Sequence, residues 1–272
     1  MNTVTEVATV ITAANEALRR DFPLKPFAIR HKLAGHPLLT LPRIAQLASE
    51  LPRDLIEYNS GKVAISQDPD AIPSVDLDPV EVVKSIETAG AWMVLKRVEN
   101  SPEYRRLLED TLLSVARARG FNSLLDAGFE QVEGFLFVSS PNSTTPFHLD
   151  SEDNFFVHIH GEKFFTIFDN TDRAIVGDDE IERSMTKHRN LKYDDSLRRA
   201  ARSFTCPRAT AAMCRISGRT GCVHRIPIRS RWRSPGRRAR CAASTTCISS
   251  IRCCAASACR KSRRAPSRCA TR

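Results

Sequence analysis

Two residues with metal-binding side chains, His148 and Asp150, stand two positions apart in the stretch of the chain that is densest in reactive groups, Ser143 to Phe168. In a β-strand, residues i and i+2 lie on the same face, so an imidazole and a carboxylate at this spacing can hold one metal ion. A second interpretation stays open, because a His and an Asp that follow the Pro146 turn can also hydrogen-bond to nearby backbone.

A lysine follows this pair in an apolar context. Lys163 lies fifteen residues after His148 and begins the run Lys163–Phe168, which has the composition of a buried strand. An unpaired ammonium is costly to bury, so Lys163 requires an anionic partner. Two histidines and one carboxylate bind Fe(II) with open positions for O2 and a chelating cosubstrate. A carboxylate on such a cosubstrate would satisfy Lys163.

The pattern T-P-x-H-x-D, then N-F-F, then G-x-K before an apolar strand resembles that of the JmjC and cupin-like oxygenases. Its spacing is similar to that of the asparagine hydroxylase that acts on hypoxia-inducible factor. The resemblance implies that His148 and Asp150 bind Fe(II) and that 2-oxoglutarate is the cosubstrate. It also implies that Lys163 pairs with the distal carboxylate of 2-oxoglutarate, and that Thr145 and Asn154 help to seat it. The specific match covers about 26 residues.

The charge of the 272-residue chain is unevenly spread. Residues 204–272 hold seventeen Lys and Arg and all nine cysteines but no Asp or Glu, which leaves 24 basic and 31 acidic residues before them. The chain shows no signal-peptide pattern and no apolar run long enough to span a membrane. We therefore predict a cytoplasmic protein without disulfides or a membrane partner.

The basic tail, residues 204–272, has the Arg, Ala, Cys and Ser mixture that a slipped reading frame produces in a GC-rich gene. Joining the third base of each codon to the first two bases of the next admits the segments P-G-D, H-V-P and W-P-H-W-V, which resemble the C-terminal half of JmjC-like proteins. In that frame the distal iron histidine comes from bases shared by Arg219 and Thr220, so the chain as written lacks it. We predict a frameshift after about Ser203 and a tail with little regular structure, in which His224 has no strand context opposite His148.

Periodicity predicts the elements that position the candidate residues. Asp78 and Ser101 each precede a proline and are predicted N-caps. The predicted helices are Thr5–Arg19, Pro42–Leu51, Asp78–Thr88 and Ser101–Gly120. The predicted strands are Ala91–Val98, Gln131–Ser139, the strand carrying H-x-D, Asn154–His160 and Lys163–Phe168.

Four histidines and one acidic segment are given structural roles. His31 and His36 are predicted to be surface or turn residues, and His158 and His160 to form one polar face of a strand. Residues 169–195 are predicted to form a loop over the mouth of the site.

These elements predict an α+β chain, mainly β with a helical N-terminal region. Residues 1–125 form that region, residues 126–203 the first half of a double-stranded β-helix of the cupin or jelly-roll type, and residues 204–272 a disordered, out-of-frame tail. The N-terminal helix can pack against the domain or against a second copy in a homodimer.

The predicted function is that of an Fe(II)- and 2-oxoglutarate-dependent dioxygenase that hydroxylates a protein side chain or a small molecule, impaired in this chain by loss of the distal histidine. One alternative is a non-catalytic cupin-like regulatory or binding protein. A further alternative is a nucleic-acid binder that uses the Arg-rich tail. We do not expect nucleic acid as a partner, because a frameshift explains the tail together with the missing barrel strands.

Overall fold

The computed structural model describes residues 11–12, 15–22, 27–62, 66, 78–150, 154–161, 163–168, 172–184, 189–206, 210–214, 222–225 and 247–249. Its helices are α1 Asn15–Asp21, α2 Leu41–Glu50, α3 Pro79–Lys84, α4 Pro102–Ala118 and α5 Asp178–Ser184. Its strands are β1 Ile11–Thr12, β2 Phe27–His31, β3 Ile56–Ser60, β4 Ala91–Lys96, β5 Phe135–Ser139, β6 His148–Asp150, β7 Asn154–Val157, β8 Lys163–Phe168, β9 Arg189–Asn190, β10 Ala201–Cys206, β11 Thr210–Cys214, β12 Cys222–Arg225 and β13 Cys247–Ser249. The strands from residue 201 onward are placed by their backbone pairing.

The strands form three antiparallel sheets. The H-x-D sheet has the order β10-β8-β12-β6-β9, and the N-F-F sheet has the order β1-β2-β11-β7. The meander sheet has the order β13-β5-β4-β3, in which β3, β4 and β5 are consecutive along the chain and β13 comes from the tail. The predicted combination of helices with antiparallel sheet is confirmed, and the double-stranded β-helix stays a prediction.

The main core lies between the helices and two of the sheets. Helix α4 buries the face that carries Leu108, Leu112 and Val115. Phe155 and Val157 of β7 belong to the same core. Burying such apolar side chains is worth about 1.5–3 kcal/mol for each residue. This core therefore fixes which face of β7 points away from the helices.

Both predicted N-cap residues, Asp78 and Ser101, precede helices of the structure, and one of them makes capping hydrogen bonds. The Asp78 carboxylate accepts hydrogen bonds from the backbone N–H groups of Val80 and Glu81, with Pro79 at the first helical position. Ser101 precedes Pro102 as predicted, but its side chain makes no capping hydrogen bond to α4. The fixed φ of proline is itself sufficient to favour the first turn of that helix.

The prediction that the tail has little regular structure is wrong for β10, β11, β12 and the short β13. Strand β12 pairs with both β6 and β8, so His224 does lie in a strand beside the one that carries His148. Strand β11 joins β2 to β7 in the same way. A strand pairs with the strands on either side of it through its backbone N–H and C=O groups, so basic side chains do not prevent the pairing.

Three further boundaries differ from the predictions. The N-terminal region contains strands as well as helices, and β4 pairs with β5 across the predicted 125/126 boundary. The N-terminal helix begins at Asn15, because Ile11 and Thr12 pair with β2, and residues 1–10 lie outside the described part. The predicted loop 169–195 contains α5 and β9, because Ile181 and Leu191 are buried apolar residues that need a packing surface.

That packing surface is a second, smaller core on one face of the H-x-D sheet. Phe147, Leu149 and Phe168 come from the strands and their approaches, and Val176, Ile181 and Leu191 cover them. The Phe147 and Phe168 rings meet edge to face with their centroids 5.0 Å apart. In the described part of the chain no helix is both long enough and apolar enough to cross a membrane.

A close backbone crossing holds the loop that leads into β6. The Gly61 N–H donates to the Gly90 carbonyl at 2.7 Å, and the Thr144 N–H donates to the Gly61 carbonyl at 2.9 Å. A Cβ at Gly61 would lie 3.0 Å from the Gly90 carbonyl oxygen and would clash with the Ser143 hydroxyl. The approach to the H-x-D strand therefore depends on a glycine at position 61.

We expect Gly61→Ala to lower the free energy of unfolding by about 1–3 kcal/mol, because the added methyl overpacks this crossing. Gly177→Ala is the matched control, since a Cβ there meets no atom within 4 Å and the φ of Gly177 is ordinary. Urea unfolding followed by circular dichroism measures both variants. Equal losses in the two variants would contradict this account of the crossing.

Candidate functional site

Strand β6 presents its two faces to different environments. Leu149 is buried in the second core, so the flanking positions His148 and Asp150 lie on the opposite face of the H-x-D sheet. The predicted sharing of one face by His148 and Asp150 therefore follows from the packing of Leu149. The structure describes the backbone position of Asp150, and its side chain lies outside the described part.

The His148 imidazole is buried and has a fixed orientation. Its side chain is 9% exposed, and its Nδ1 lies 2.8 Å from the Pro146 carbonyl oxygen. A carbonyl oxygen only accepts hydrogen bonds, so Nδ1 carries the proton and Nε2 carries the lone pair. This is the tautomer of a metal-ligating histidine whose ring is oriented by an outer hydrogen bond. The sequence analysis offered a hydrogen bond to nearby backbone as an alternative to metal binding. That hydrogen bond is present, and it leaves Nε2 available as a metal ligand.

Lys163 lies on the same face as His148. Strand β12 stands between β6 and β8, with Val223 opposite Leu149 and His224 opposite Ile167. Opposite residues in an antiparallel pair share a face, so position 223 lies on the Leu149 face and position 224, with Ile167 opposite, lies on the His148 face. Lys163 lies four residues before Ile167 on the same strand and therefore on that face too. The structure therefore brings Lys163 to the H-x-D face, two strands away from β6.

The environment of Lys163 is apolar and aromatic. The side chain is 8% exposed, and its Nζ lies 5.6 Å from the centroid of the Phe156 ring. A cation over an aromatic face is attracted by the ring quadrupole, an attraction that is stronger in a desolvated site. Because Phe156 belongs to β7, this contact also shows that the N-F-F sheet faces the Lys163 side of the H-x-D sheet.

Asn154 lies on the face of β7 that this contact identifies. Phe155 and Val157 point into the main core, so Asn154, Phe156 and His158 share the other face. Asn154 is 3% exposed. The space between the two sheets is thus lined by the predicted residues His148, Lys163 and Asn154. Thr145 is half-buried in the loop before β6, three residues from His148.

The sequence analysis missed His158 as a residue of this interior. His158 is fully buried, and its ring stacks on Phe156 with the centroids 6.5 Å apart. The pKa of His158 is lowered to about 4, chiefly by burial and to a smaller extent by the charge of Lys163, against a backbone hydrogen bond at Gly161 that raises it. Residues 154, 156 and 158 alternate with the apolar residues of β7, and this alternation could have placed His158 on the same face as Asn154.

The prediction that His31 is a surface or turn residue is wrong. His31 is 4% exposed; its Nδ1 accepts from the Leu33 N–H at 3.1 Å, so its Nε2 donates to the His158 carbonyl at 2.8 Å. His31 ends β2 and pairs with Ile11 of β1, and the hydrogen bond to the His158 carbonyl holds its ring against the segment that follows β7. His36 is a turn residue as predicted, and its Nδ1 accepts from the Leu38 N–H at the start of a 3₁₀ turn.

The donor set fits two of the three ligands of a facial triad. His148 offers a correctly oriented Nε2, and Asp150 occupies the neighbouring position on the same face. Among the residues whose side chains the structure describes, no three His, Cys, Asp or Glu side chains are grouped closely enough to hold a metal ion. A third ligand must therefore come from outside that set.

This arrangement of helices and sheets has the fold of a 2-oxoglutarate oxygenase of known structure. The X-ray structure of E. coli YcfD matches with a TM-score of 0.54 at 12% identity, over 90% of this chain and 53% of that chain. A structure of YcfD described as a ribosomal oxygenase from Escherichia coli in complex with cobalt and 2-oxoglutarate matches with a TM-score of 0.50 at 10% identity, over 88% of this chain and 50% of that chain. The sequence matches no protein-family model and no curated protein.

The likeness establishes the fold and leaves finer assignments open. At 10–12% identity it does not carry residue roles from one chain to the other. This chain spans about half the length of the structures that it matches. The finer resemblance to the hydroxylase that acts on hypoxia-inducible factor remains a prediction.

The buried His158 makes stability depend on pH. Its pKa of about 4 in the folded chain lies below the ordinary value of 6.5, so the unfolded chain binds the proton first as the pH falls. Stability is fully present above about pH 6.5 and is lost as the pH falls toward 4. We expect a loss of about 2 kcal/mol from His158 between pH 8 and pH 5.

Urea unfolding at the two pH values, comparing the chain with His158→Gln, isolates this contribution from other titrating groups. The variant should lose about 2 kcal/mol less than the parent over the same interval. An identical pH dependence in both proteins would show that His158 titrates normally in the folded chain.

Proposed function

We propose that this chain derives from an Fe(II)- and 2-oxoglutarate-dependent oxygenase of the JmjC and cupin-like type, which hydroxylates a C–H bond of its substrate. The carrying observation is that the H-x-D face of β6 and the buried Lys163 of β8 share one side of a sheet. A metal ligand pair and a buried cation on one interior face suit a cofactor that is both chelating and anionic. The fold of the matched oxygenase structures supports the same conclusion.

His148 and Asp150 would hold the iron. The Pro146 carbonyl keeps the His148 proton on Nδ1, so Nε2 would be the nitrogen that binds the metal, without a change of tautomer. Bound iron and 2-oxoglutarate together supply the oxidation of the substrate by O2. Leu149 anchors the strand in the second core and so keeps both ligand positions turned inward.

Lys163 would bind the distal carboxylate of 2-oxoglutarate, with Thr145 and Asn154 helping to seat the cosubstrate. An ion pair in the dry space between two sheets is much stronger than the same pair in water. The Phe156 ring contacts Lys163 and stacks on the buried His158, so the Lys163 side chain lies against an aromatic surface. The lowered pKa of His158 keeps its imidazole neutral at pH 7, so it adds no second positive charge beside Lys163.

We propose that the gene is out of frame after about Ser203 and that activity is impaired in this chain for that reason. In the shifted frame the distal histidine arises at the codons for Arg219 and Thr220, just before β12 begins at Cys222. Strand β12 runs beside β6, which supports that part of the tail as the source of the third ligand. Resequencing the gene across the codons for Ser203 to Cys206 tests the frameshift directly.

A second candidate is a cupin-like regulatory or binding protein without turnover. It is favoured by the described side chains, among which no three His, Cys, Asp or Glu residues are grouped closely enough to hold a metal ion. The substrate class is a protein side chain or a small molecule. Because one matched structure is described as a ribosomal oxygenase, ribosomal proteins are the first substrates to test.

We expect succinate formation from 2-oxoglutarate, with Fe(II) and ascorbate present, to be negligible for this chain and restored in the frame-corrected chain. The correction returns the third histidine and the strands that wall the cosubstrate together. His148→Ala in the frame-corrected chain should lower turnover by at least about a hundredfold, because a direct ligand is worth more than an outer contact. Equal turnover by the original and corrected chains would show that the tail functions as written.

In the frame-corrected chain, Lys163→Met should raise the KM for 2-oxoglutarate by at least about tenfold, since a buried carboxylate then lacks its cation. Steady-state succinate assays measure the change. Lys84→Met is the matched control, because Lys84 is an exposed residue of α3 that pairs only with Glu81 on its own helix among the contacts described. A rise in KM in both variants, or in neither, would remove Lys163 from the cosubstrate site.

A further inference from the structure

We propose that His31 is a positioning residue for the candidate site, because it holds the turn from which Lys163 enters the interior. The inference rests on the proposed function, in which Lys163 binds the cosubstrate, and it adds a residue that lies outside the sequence motif. His31 acts through the backbone of His158 and is not a catalytic residue.

Both ring nitrogens of His31 make hydrogen bonds, and they reach different parts of the chain. Nδ1 accepts from the Leu33 N–H at 3.1 Å, in the turn that follows β2. Nε2 donates to the His158 carbonyl at 2.8 Å, across 127 positions of sequence. The first contact is local, whereas the second connects β2 to the end of β7.

The hydrogen bond between His31 and His158 uses only residues that precede the tail. In the N-F-F sheet β11 lies between β2 and β7, where Thr210 pairs with Arg30 and Ala211 pairs with Val157. His31 and His158 each follow the paired residue by one position. Their hydrogen bond therefore depends on no residue whose identity a frameshift would change.

The segment that His31 holds leads from one sheet to the other. Strand β7 belongs to the N-F-F sheet and β8 to the H-x-D sheet, and residues 158–162 connect them. Gly161 has a φ of +80°, which lies in the left-handed region that glycine adopts without steric cost. Lys163 is the first residue after this short connection, so a displacement of His158 also moves Lys163.

Side-chain contacts lead from His158 to the same ammonium group. The His158 ring makes a hydrogen bond with the backbone of Gly161 and stacks on Phe156, with the ring centroids 6.5 Å apart. The Phe156 centroid in turn lies 5.6 Å from Lys163 Nζ. His31, His158 and Lys163 are all buried. Close-packed interiors transmit small displacements, so the position of His158 determines that of Lys163.

Three substitutions of His31 separate the long-range contact from the local one. His31→Asn keeps an acceptor near the Nδ1 position but is too short to reach His158, and His31→Phe keeps a ring without a donor. His31→Gln places an amide N–H near the Nε2 position and restores the donor. His36→Phe is the matched control, because His36 accepts from the Leu38 N–H in the neighbouring turn.

Acetylation of lysine amines by acetic anhydride, followed residue by residue by mass spectrometry, measures the protection of Lys163 in the chain as written, without metal or cosubstrate. We expect Lys163 to react at least about tenfold faster in His31→Asn and His31→Phe, because a fully buried carbonyl loses a donor and the turn opens. His31→Gln and His36→Phe should stay within about twofold of the parent. Lys96, which is half-buried in the meander sheet, is the internal control for general loosening of the fold.

In the frame-corrected chain, His31→Asn should raise the KM for 2-oxoglutarate by at least about fivefold and change kcat by less than about twofold. A purely structural role would instead lower kcat with the amount of folded protein and leave KM unchanged. His31→Phe decides the matter in both assays if the asparagine variant fails to fold.

Unchanged acetylation of Lys163 in the two variants without a donor, equal acceleration at Lys163 and Lys96, or the same acceleration in His31→Gln would overturn the proposal. Failure of the proposal is distinguishable from failure of the oxygenase assignment, because acetylation requires no turnover. Faster acetylation of Lys163 alone, with no turnover by the frame-corrected chain, would support the positioning role of His31 and overturn the oxygenase assignment.

Discussion

The burial of Leu149 in the second core is the contact on which the candidate site depends. A strand has only two faces, so a leucine fixed against Phe147 and Phe168 forces His148 and Asp150 to the other side. A slip of one residue in the register of β6 would place Leu149 on the face between the two sheets and would turn His148 and Asp150 toward the second core. The hydrogen bond from His148 Nδ1 to Pro146 then sets the ring orientation within that face. Packing therefore decides the face on which His148 and Asp150 lie, and a local hydrogen bond decides the tautomer of His148.

The interior between the two sheets combines one positive charge with a neutral imidazole. Lys163 stays buried over the Phe156 ring, and the burial of His158 holds its pKa at about 4. Both effects follow from the same low-dielectric space, which strengthens a favourable ion pair and penalises an additional charge. Such a space suits the anionic cosubstrate that we propose. A second protonated residue there would add to the cost of burying Lys163.

In the tail, the backbone and the side chains make different contributions to the fold. Strands β10, β11 and β12 complete sheets whose other members come from the first 190 residues, although the tail lacks the apolar alternation of an ordinary strand. Backbone pairing places the strands, whereas the side chains decide what the site can bind. This is consistent with a likeness that reaches 90% of the chain at 12% identity.

The sequence alone determined the features that depend on near neighbours along the chain. The H-x-D spacing, the lysine in an apolar run, the Asp78 cap and the strand at Lys163–Phe168 are local patterns, and each is present in the structure. Only the tertiary structure decided the burial of His31 and His158, the contact between Phe156 and Lys163, and the register that sets Cys222 against Asp150. These features join residues far apart in sequence, and period-two alternation gives the two faces of a strand without saying which strand lies beside it or which face is buried.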